Sequence, residues 1–536
     1  MVHERIYNSP LPSTSLLFEG ATYDIGWDGR RDTSHDDQPC TLPTPDYALF
    51  LINAVKFQCG QLFHLFDERT FMDCFNKFHE LGSDPSQCPI LWYIHYLLIL
   101  AFGKAFTVRT QTGRRPPGAD LFVQAMKLLP DTIFLYTEPL HSIEVLCCAA
   151  LYLQCLDFRS AAYNLIGRAM RIAVEQGMHT EMESHYLAKD IVERSREAWW
   201  TVYILDRHMS SLLGVPLGLA DEDVTAHLPS FLGSHRKTLA LSIHIKISKA
   251  TAEIQRTVYR KRARRDQQFL HRVQEALKIV ATANDERNAS FPLDIQKPAH
   301  GISRLSAYLH IFHHQCIILA TRPLLYSFLQ KRLHASTTLR VASRGGARAL
   351  LRVCVGSAKQ TIDILEGLQS QTLLESFLPF DLDAAFSSAL VLLIAAAVDP
   401  SLLRTDDRSW LQSSYAVLDE MVSRGNLIAK FHKSELQQLD KNLQQLPVPP
   451  TDVPSESQVG MQESIAQAAP HVVSDGRAAS AGSDQLYISP DFLGEWNSED
   501  GLSGEQLMTL ANSLDFAYLD WLGPDTIPAF ESTMPP

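Results

Sequence analysis

The sequence predicts an all-α protein: a large multi-helix domain carried between a disordered N-terminal arm and a disordered acidic C-terminal tail. Apolar residues recur with helical spacing almost without break from Pro45 to about Leu446, whereas no series of alternating strands appears that could build a sheet. After Leu446 the composition shifts abruptly to Pro, Ser and Gln, and from residue 478 to the end there is no Lys or Arg. The organisation expected is a leader over 1–41, a helical domain over 42–446, a linker over 447–482 and an acidic–aromatic segment over 483–536.

Each element follows from local pattern. The leader mixes Pro, Ser, Gly and Asp without periodicity. In 161–181, Leu165, Ala169, Ile172 and Ala173 form one stripe, and Gly177 stands where a C′ glycine ends a helix. The next run begins near Ile191 and reaches Leu213. There Gly214 can turn and Pro216 disfavours helical geometry at Val215. Further helical runs are expected at 240–258, 268–283, 302–330, 348–368, 384–398 and 408–430. The most apolar windows, 91–103 and 387–398, are shorter than the ~20 residues a membrane span needs. No membrane partner is expected.

Bulk properties narrow the function. Hydrophobic residues make up 46% and charged residues 20%, with 48 basic and 60 acidic residues giving a net charge of -12. That balance argues against a surface that coats nucleic acid, because phosphate binding needs a local basic excess. The nine cysteines contain no Cys-x-x-Cys pair and read as reduced core thiols. His310, His313 and His314 share one helical face, but a zinc site needs a further ligand, so packed histidines are expected. Neither a metal nor another cofactor is expected. The ADEDV (220–224) and NSED (497–500) stretches are faintly similar to the acidic motifs of all-α terpene cyclases. Asp221 reads better as an N-cap, with Glu222 and Asp223 in a first helical turn. No nucleophile elbow, Walker loop or dinucleotide fingerprint is present, so no enzyme is expected. Asp206 and Arg207 diverge by about 100° on a helix and cannot form a dyad. Asp206 lies near an apolar face with Trp199, Val202, Tyr203 and Met209, and is expected to find a partner on another helix. Its replacement by Ala is expected to lower stability.

Two segments point to partners. Arg260, Lys261, Arg262, Arg264 and Arg265 form a dense basic run that reads both as a nuclear import signal and as a solvated helix face. In 491–522, Asp and Glu alternate with large apolar residues, and Leu514, Tyr518 and Trp521 would share one side of a helix. Carboxylates that lack nearby cations keep such groups solvated until a partner groove orders them, the composition of an activation segment. A tail that docks on its own domain is the other reading.

The run from Arg196 through Trp199, Trp200, Asp206, Arg207, Gly214, Pro216, Asp221 and Asp223 to Leu228–Pro229 resembles the signature of the fungal transcription factor regulatory domain, the middle homology region. Ala162, Gly167, Ala169, Arg171, Ala173, Gly177 and His179 resemble that domain's preceding helix. Asp67 with Phe71, and Arg322 with Pro323, are similar to its entry and later motifs. The resemblance covers about 42–440. It implies an all-α regulator of transcription in the nucleus, often a dimer, working with coactivators or the general transcription machinery and open to a small-molecule effector. It also marks the family signature as scaffold, not chemistry. One departure is notable: only Cys40 precedes the helical domain, so no six-cysteine zinc cluster is expected in this polypeptide. DNA contact would come through a partner factor or a cluster encoded upstream. A pathway-specific regulator, for example of a metabolic or secondary-metabolite gene cluster, is the leading reading; a ligand sensor or adaptor that modulates a partner factor is the alternative.

Overall fold

A computed structural model describes residues 22–29, 41–108, 113–182, 187–231, 234–259, 269–293, 301–334, 345–403, 409–446 and 503–512. The described residues contain no strand. The helices are α1 (Pro45–Gln58), α2 (Glu68–Glu80), α3 (Ile90–Thr107), α4 (Ala119–Leu128), α5 (Pro139–Cys155), α6 (Arg159–Glu175), α7 (Lys189–Leu213), α8 (His235–Val258), α9 (Phe269–Ser290), α10 (Arg304–His334), α11 (Gly345–Ser370), α12 (Pro379–Val398), α13 (Trp410–Ser423), α14 (Leu427–Gln444) and α15 (Gly504–Asn512).

Helix ends follow backbone chemistry. Asp67 caps α2 by accepting the Thr70 N–H at 2.9 Å. Gly177 and Gly214 take positive φ of 69° and 66°, one ending the turn after α6 and the other capping α7. The run expected at 408–430 is instead two helices, α13 and α14. Gly425 turns the chain at φ 90°, and Asn426 caps α14 by accepting the Ala429 N–H at 2.8 Å. Asp221, expected as an N-cap, lies inside a short 3-10 turn over Asp221–Asp223 whose cap position is Ala220. Its carboxylate is drawn away by stronger partners, described below.

Neighbouring helices pack mostly in sequence order. α1, α4 and α5 pack on α3; α6 and α7 pack on α5; α8 carries the chain across to α9 and α10, and α10 to α12 form the C-terminal bundle with α13 and α14. Helices α3 and α12 are long and apolar enough to cross a membrane by length and composition, exceeding the windows read from sequence. Both are mostly buried and line the core, α3 with Tyr96 to Phe102 inaccessible to solvent. At Gly103 a side chain would meet Leu51, with a Cβ 2.5 Å from that residue's own Cβ, so glycine is what lets α1 lie against α3.

The two halves meet at an aromatic cluster. Phe63, after α1, and Phe380, in the first turn of α12, have ring centroids 5.7 Å apart. His208 of α7 lies 5.3 Å from Phe380, and Phe312 of α10 stacks on His244 of α8 at 5.0 Å. Burial lowers His208 to about 4 and His244 to about 3, so both rings are neutral at physiological pH and pack as aromatics.

Two short stretches inside the expected arms are also placed. Tyr23 is buried and its hydroxyl accepts the N–H of Leu427 at the start of α14. Residues 504–512 of the tail form α15, which packs on α9.

Candidate functional site

Helix α7 carries six charged residues, Glu193, Arg194, Arg196, Glu197, Asp206 and Arg207, into or beside the core. Arg207 is wholly buried. Its guanidinium lies 3.4 Å above the Tyr203 ring, and Nη2 donates to the Leu219 carbonyl at 3.3 Å and to the Asp221 carboxylate. The Tyr203 hydroxyl donates to the same Asp221 oxygen at 2.6 Å. Although burial opposes ionisation, these two hydrogen bonds hold the Asp221 carboxyl below its ordinary range. The acidic turn is therefore a tie from α7 to the loop that follows it.

That loop is tied along its length. The Trp200 indole donates to the His227 carbonyl at 3.0 Å, and Glu193 accepts the Ser230 N–H. The His179 carbonyl, at the end of the preceding element, accepts from both Thr225 and Ala226 at 2.9 and 3.1 Å. From α8, the Gln255 amide donates to the carbonyls of Ser210 and Val215, closing the C-terminus of α7.

Asp206 departs from expectation. Among the described residues no basic residue of another helix bonds it; Nη1 of Arg207 lies 4.0 Å away, and Oδ2 is buried without a hydrogen-bond partner. Burial raises its pKa, offset in part by Arg207 and Arg171. Asp206 and Arg207 thus form no hydrogen-bonded dyad, as their helical angle implied. Trp199, Val202, Tyr203 and Met209 are core, as expected.

A second cluster escaped the sequence reading. Glu144, in the apolar helix α5, accepts from Arg194 at 2.7 and 2.6 Å and faces His64 Nε2 at 2.9 Å. His64 Nδ1 faces Glu197 at 2.8 Å. With a carboxylate at each ring nitrogen, both nitrogens must donate, which requires the imidazolium. Burial alone would lower this histidine, but hydrogen bonds to Glu144 and Glu197 win and raise it to about 9. Glu144 is correspondingly depressed despite its burial, by Arg194 and His64.

His95, His141 and Glu144 bring potential ligand atoms within 4.8 Å of one another. Their donors are already committed: both Glu144 oxygens serve Arg194, and His95 bonds the Leu65 carbonyl and the His141 ring at 2.9 and 3.2 Å. A cation would also sit beside Arg194 and protonated His64, so the set does not suit a metal. The histidines weighed from sequence are scaffold. His310 bonds the Phe291 carbonyl at 2.9 Å, while His313 and His314 meet edge to face with centroids 5.7 Å apart. Burial pushes both of the latter well below the ordinary histidine range.

The Arg322–Pro323 motif has a physical explanation. Pro323 lies inside α10 and cannot donate to the carbonyl four residues back, Leu319. The Tyr259 hydroxyl donates to that carbonyl instead at 2.8 Å, and Arg322 Nε donates to the Tyr259 oxygen at 2.7 Å. The helix runs through its proline because a side chain of the neighbouring segment replaces the missing donor. Asp67 and Phe71 likewise act structurally: the first caps α2, and the second packs against Phe66, His95 and Trp92.

A small cleft of mixed lining lies where α5, α6, α7, α12 and α14 converge, with Gln154, Asp157, Arg159, Asp383 and Asn426 set among Leu212, Phe377, Leu382 and Ile428. The Gln154 amide is buried with neither its nitrogen nor its oxygen hydrogen-bonded. The candidate import residues Arg260, Lys261, Arg262, Arg264 and Arg265, and the candidate activation contacts Leu514, Tyr518 and Trp521, lie outside the described residues.

The sequence profile described as fungal specific transcription factor domain matches residues 50–321, which include the α7 signature and end just before the Arg322–Pro323 motif. The chain belongs to this family. An uncharacterized transcriptional regulatory protein of Schizosaccharomyces pombe is 26% identical over 412 residues, 73% of this chain and 49% of the relative. The thiamine repressible genes regulatory protein thi1 of the same yeast is 23% identical over 342 residues, 61% of this chain and 42% of that protein. Activator of stress genes 1 of Saccharomyces cerevisiae is 24% identical over 208 residues, covering 37% and 21%. The chain spans about half the length, or less, of these relatives. No solved structure matches it.

Two outcomes are expected. The His64 contribution is complete below its ordinary value of 6.5 and is lost as pH rises through about 9. Thermal unfolding should therefore fall in midpoint between pH 7 and 10, by the equivalent of about 3 kcal/mol. His64→Gln should remove most of that slope, and a slope unchanged by the substitution would contradict the assignment. Separately, Tyr259→Phe should cost about 1–3 kcal/mol of stability, since it strands the Leu319 carbonyl. Denaturant titration would expose an error if the variant matched the wild type.

Proposed function

We propose that this chain is a fungal transcriptional regulator in which the helical domain is a scaffold controlling an acidic–aromatic activation segment. Family membership is the observation that carries the reading, and the printed names of the relatives, regulators of thiamine-repressible and stress genes among them, support it. The tail supplies the output: a stretch with no Lys or Arg in which Leu514, Tyr518 and Trp521 offer an amphipathic face to a coactivator or to the general transcription machinery. Contact with DNA comes through a zinc-cluster segment or through a DNA-binding partner factor. The site of action is the nucleus, with Arg260, Lys261, Arg262, Arg264 and Arg265 as the import signal; fusion of 256–266 to a cytosolic reporter tests this. Regulation of a particular metabolic or secondary-metabolite gene cluster fits the same reading. Asp206 and Arg207 have no catalytic part in this reading: Arg207 is committed to Asp221 and the Tyr203 ring, and Asp206 is buried beside it.

A second reading is a non-activating ligand sensor or adaptor; the observation on its side is the Gln154 amide, buried at a small cleft with neither its nitrogen nor its oxygen hydrogen-bonded.

Joined to an unrelated DNA-binding domain, residues 478–536 should switch on a reporter at least tenfold above the DNA-binding domain alone. A silent fusion, with co-purification of the full chain and a zinc-cluster protein, would replace the activator by the adaptor.

A further inference from the structure

The tail is joined to the domain by more than chain continuity. Helix α15 begins with a capping box: Ser503 Oγ accepts the Gln506 N–H at 3.1 Å, and the Gln506 side chain accepts the Ser503 N–H at 2.8 Å. A third contact comes from the domain, where Asp285 of α9 accepts the Gly504 N–H at 3.0 Å. This places a carboxylate at the positive end of the helix. Gly504 fits there only because it lacks a side chain. A Cβ would lie 2.8 Å from the Ala281 carbonyl oxygen and 2.6 Å from Asp285 Oδ2. Beyond it, Leu507, Leu510 and Ala511 are buried, while Glu505 and Asn512 face solvent.

Nine residues are too few to hold a helix in water alone, so the order of α15 depends on its dock. Leu507, Leu510, Ala511 and the half-buried Met508 must offset the ordering of the whole segment, a small apolar area for a free-standing dock. Covalent attachment favours the closed state, because docking is unimolecular.

The sequence beyond the dock continues the same stripe. Leu507, Leu510, Ala511, Leu514, Tyr518 and Trp521 follow at i, i+3, i+4, i+7, i+11 and i+14. A groove that took this stretch as one helix would need the leucines that α9 already covers. We propose that the face of α9 around Ala281 and Asp285 is a docking surface for an acidic amphipathic helix, filled in the resting chain by its own residues 504–512. Docking there and engagement of a coactivator by the adjoining stripe exclude one another. This rests on the activation reading above and assigns its regulation.

The test uses the full chain, joined to an unrelated DNA-binding domain, in three forms: wild type, Gly504→Leu and Asp285→Lys. The first substitution acts on the tail and leaves the stripe intact; the second changes an exposed residue of α9. Hydrogen exchange at residues 505–512 should quicken at least tenfold in both variants, and reporter output should rise at least threefold. The isolated 478–536 fusion runs beside them. If that fusion is active but the variants match the wild type in exchange or in output, the dock has no regulatory role and the activator reading survives. If the isolated fusion is silent, the activation reading fails and the proposed regulation falls with it.

Discussion

A charge carried into a helical core has to find its counter-charge from another element, and α7 carries several. Arg207 is the most demanding, because a wholly buried guanidinium left unpaired costs several kcal/mol. It meets Asp221 from the following loop and stacks on Tyr203 of its own helix. Farther up the helix, Arg194 and Glu197 close on Glu144 of α5 and His64 after α1. The Arg194–Glu144 and Glu197–His64 pairs tie α7 to α5 and to the segment after α1.

The consequence is a division of labour within the signature. Tryptophans and valine fill the core, glycine and proline end the helix, and Arg207 binds the loop through Asp221. The Arg–Pro motif of α10 obeys the same economy, since Arg322 holds the tyrosine that repairs the break made by Pro323. None of these residues needs a substrate to explain it. A family signature of this kind reports how a chain is folded.

Much of the helical order was legible in the sequence, because a buried stripe must repeat with the helix. The C-terminal punctuation of α6 and α7 was legible too, since Gly177 and Gly214 stand where only a left-handed turn fits. The Gly425–Asn426 break between α13 and α14 escaped notice even though its residues are ordinary stop and cap signals, since apolar residues on both sides keep the periodicity running. Asp221 was misread for another reason: its position fits a cap, but the pull of Arg207 and Tyr203 lies in tertiary structure. The His64–Glu144–Arg194–Glu197 cluster joins residues up to 133 positions apart, so no local pattern announces it. Its one sequence signal was a glutamate inside an otherwise apolar helix. The Ser503–Gln506 capping box was readable, but it lies in a tail whose composition argued for disorder.

The central claim is that the signature is a structural clamp, and its tightest joint is the contact between Arg207 and Asp221. A double-mutant cycle on the full chain, with Arg207→Met, Asp221→Asn and the pair, measures that joint by equilibrium unfolding. The account predicts a coupling of about 1–3 kcal/mol, the double variant losing clearly less than the sum of the single losses. Additivity within about 0.5 kcal/mol would contradict it, leaving Arg207 and Asp221 as independent residues and the signature without its clamp.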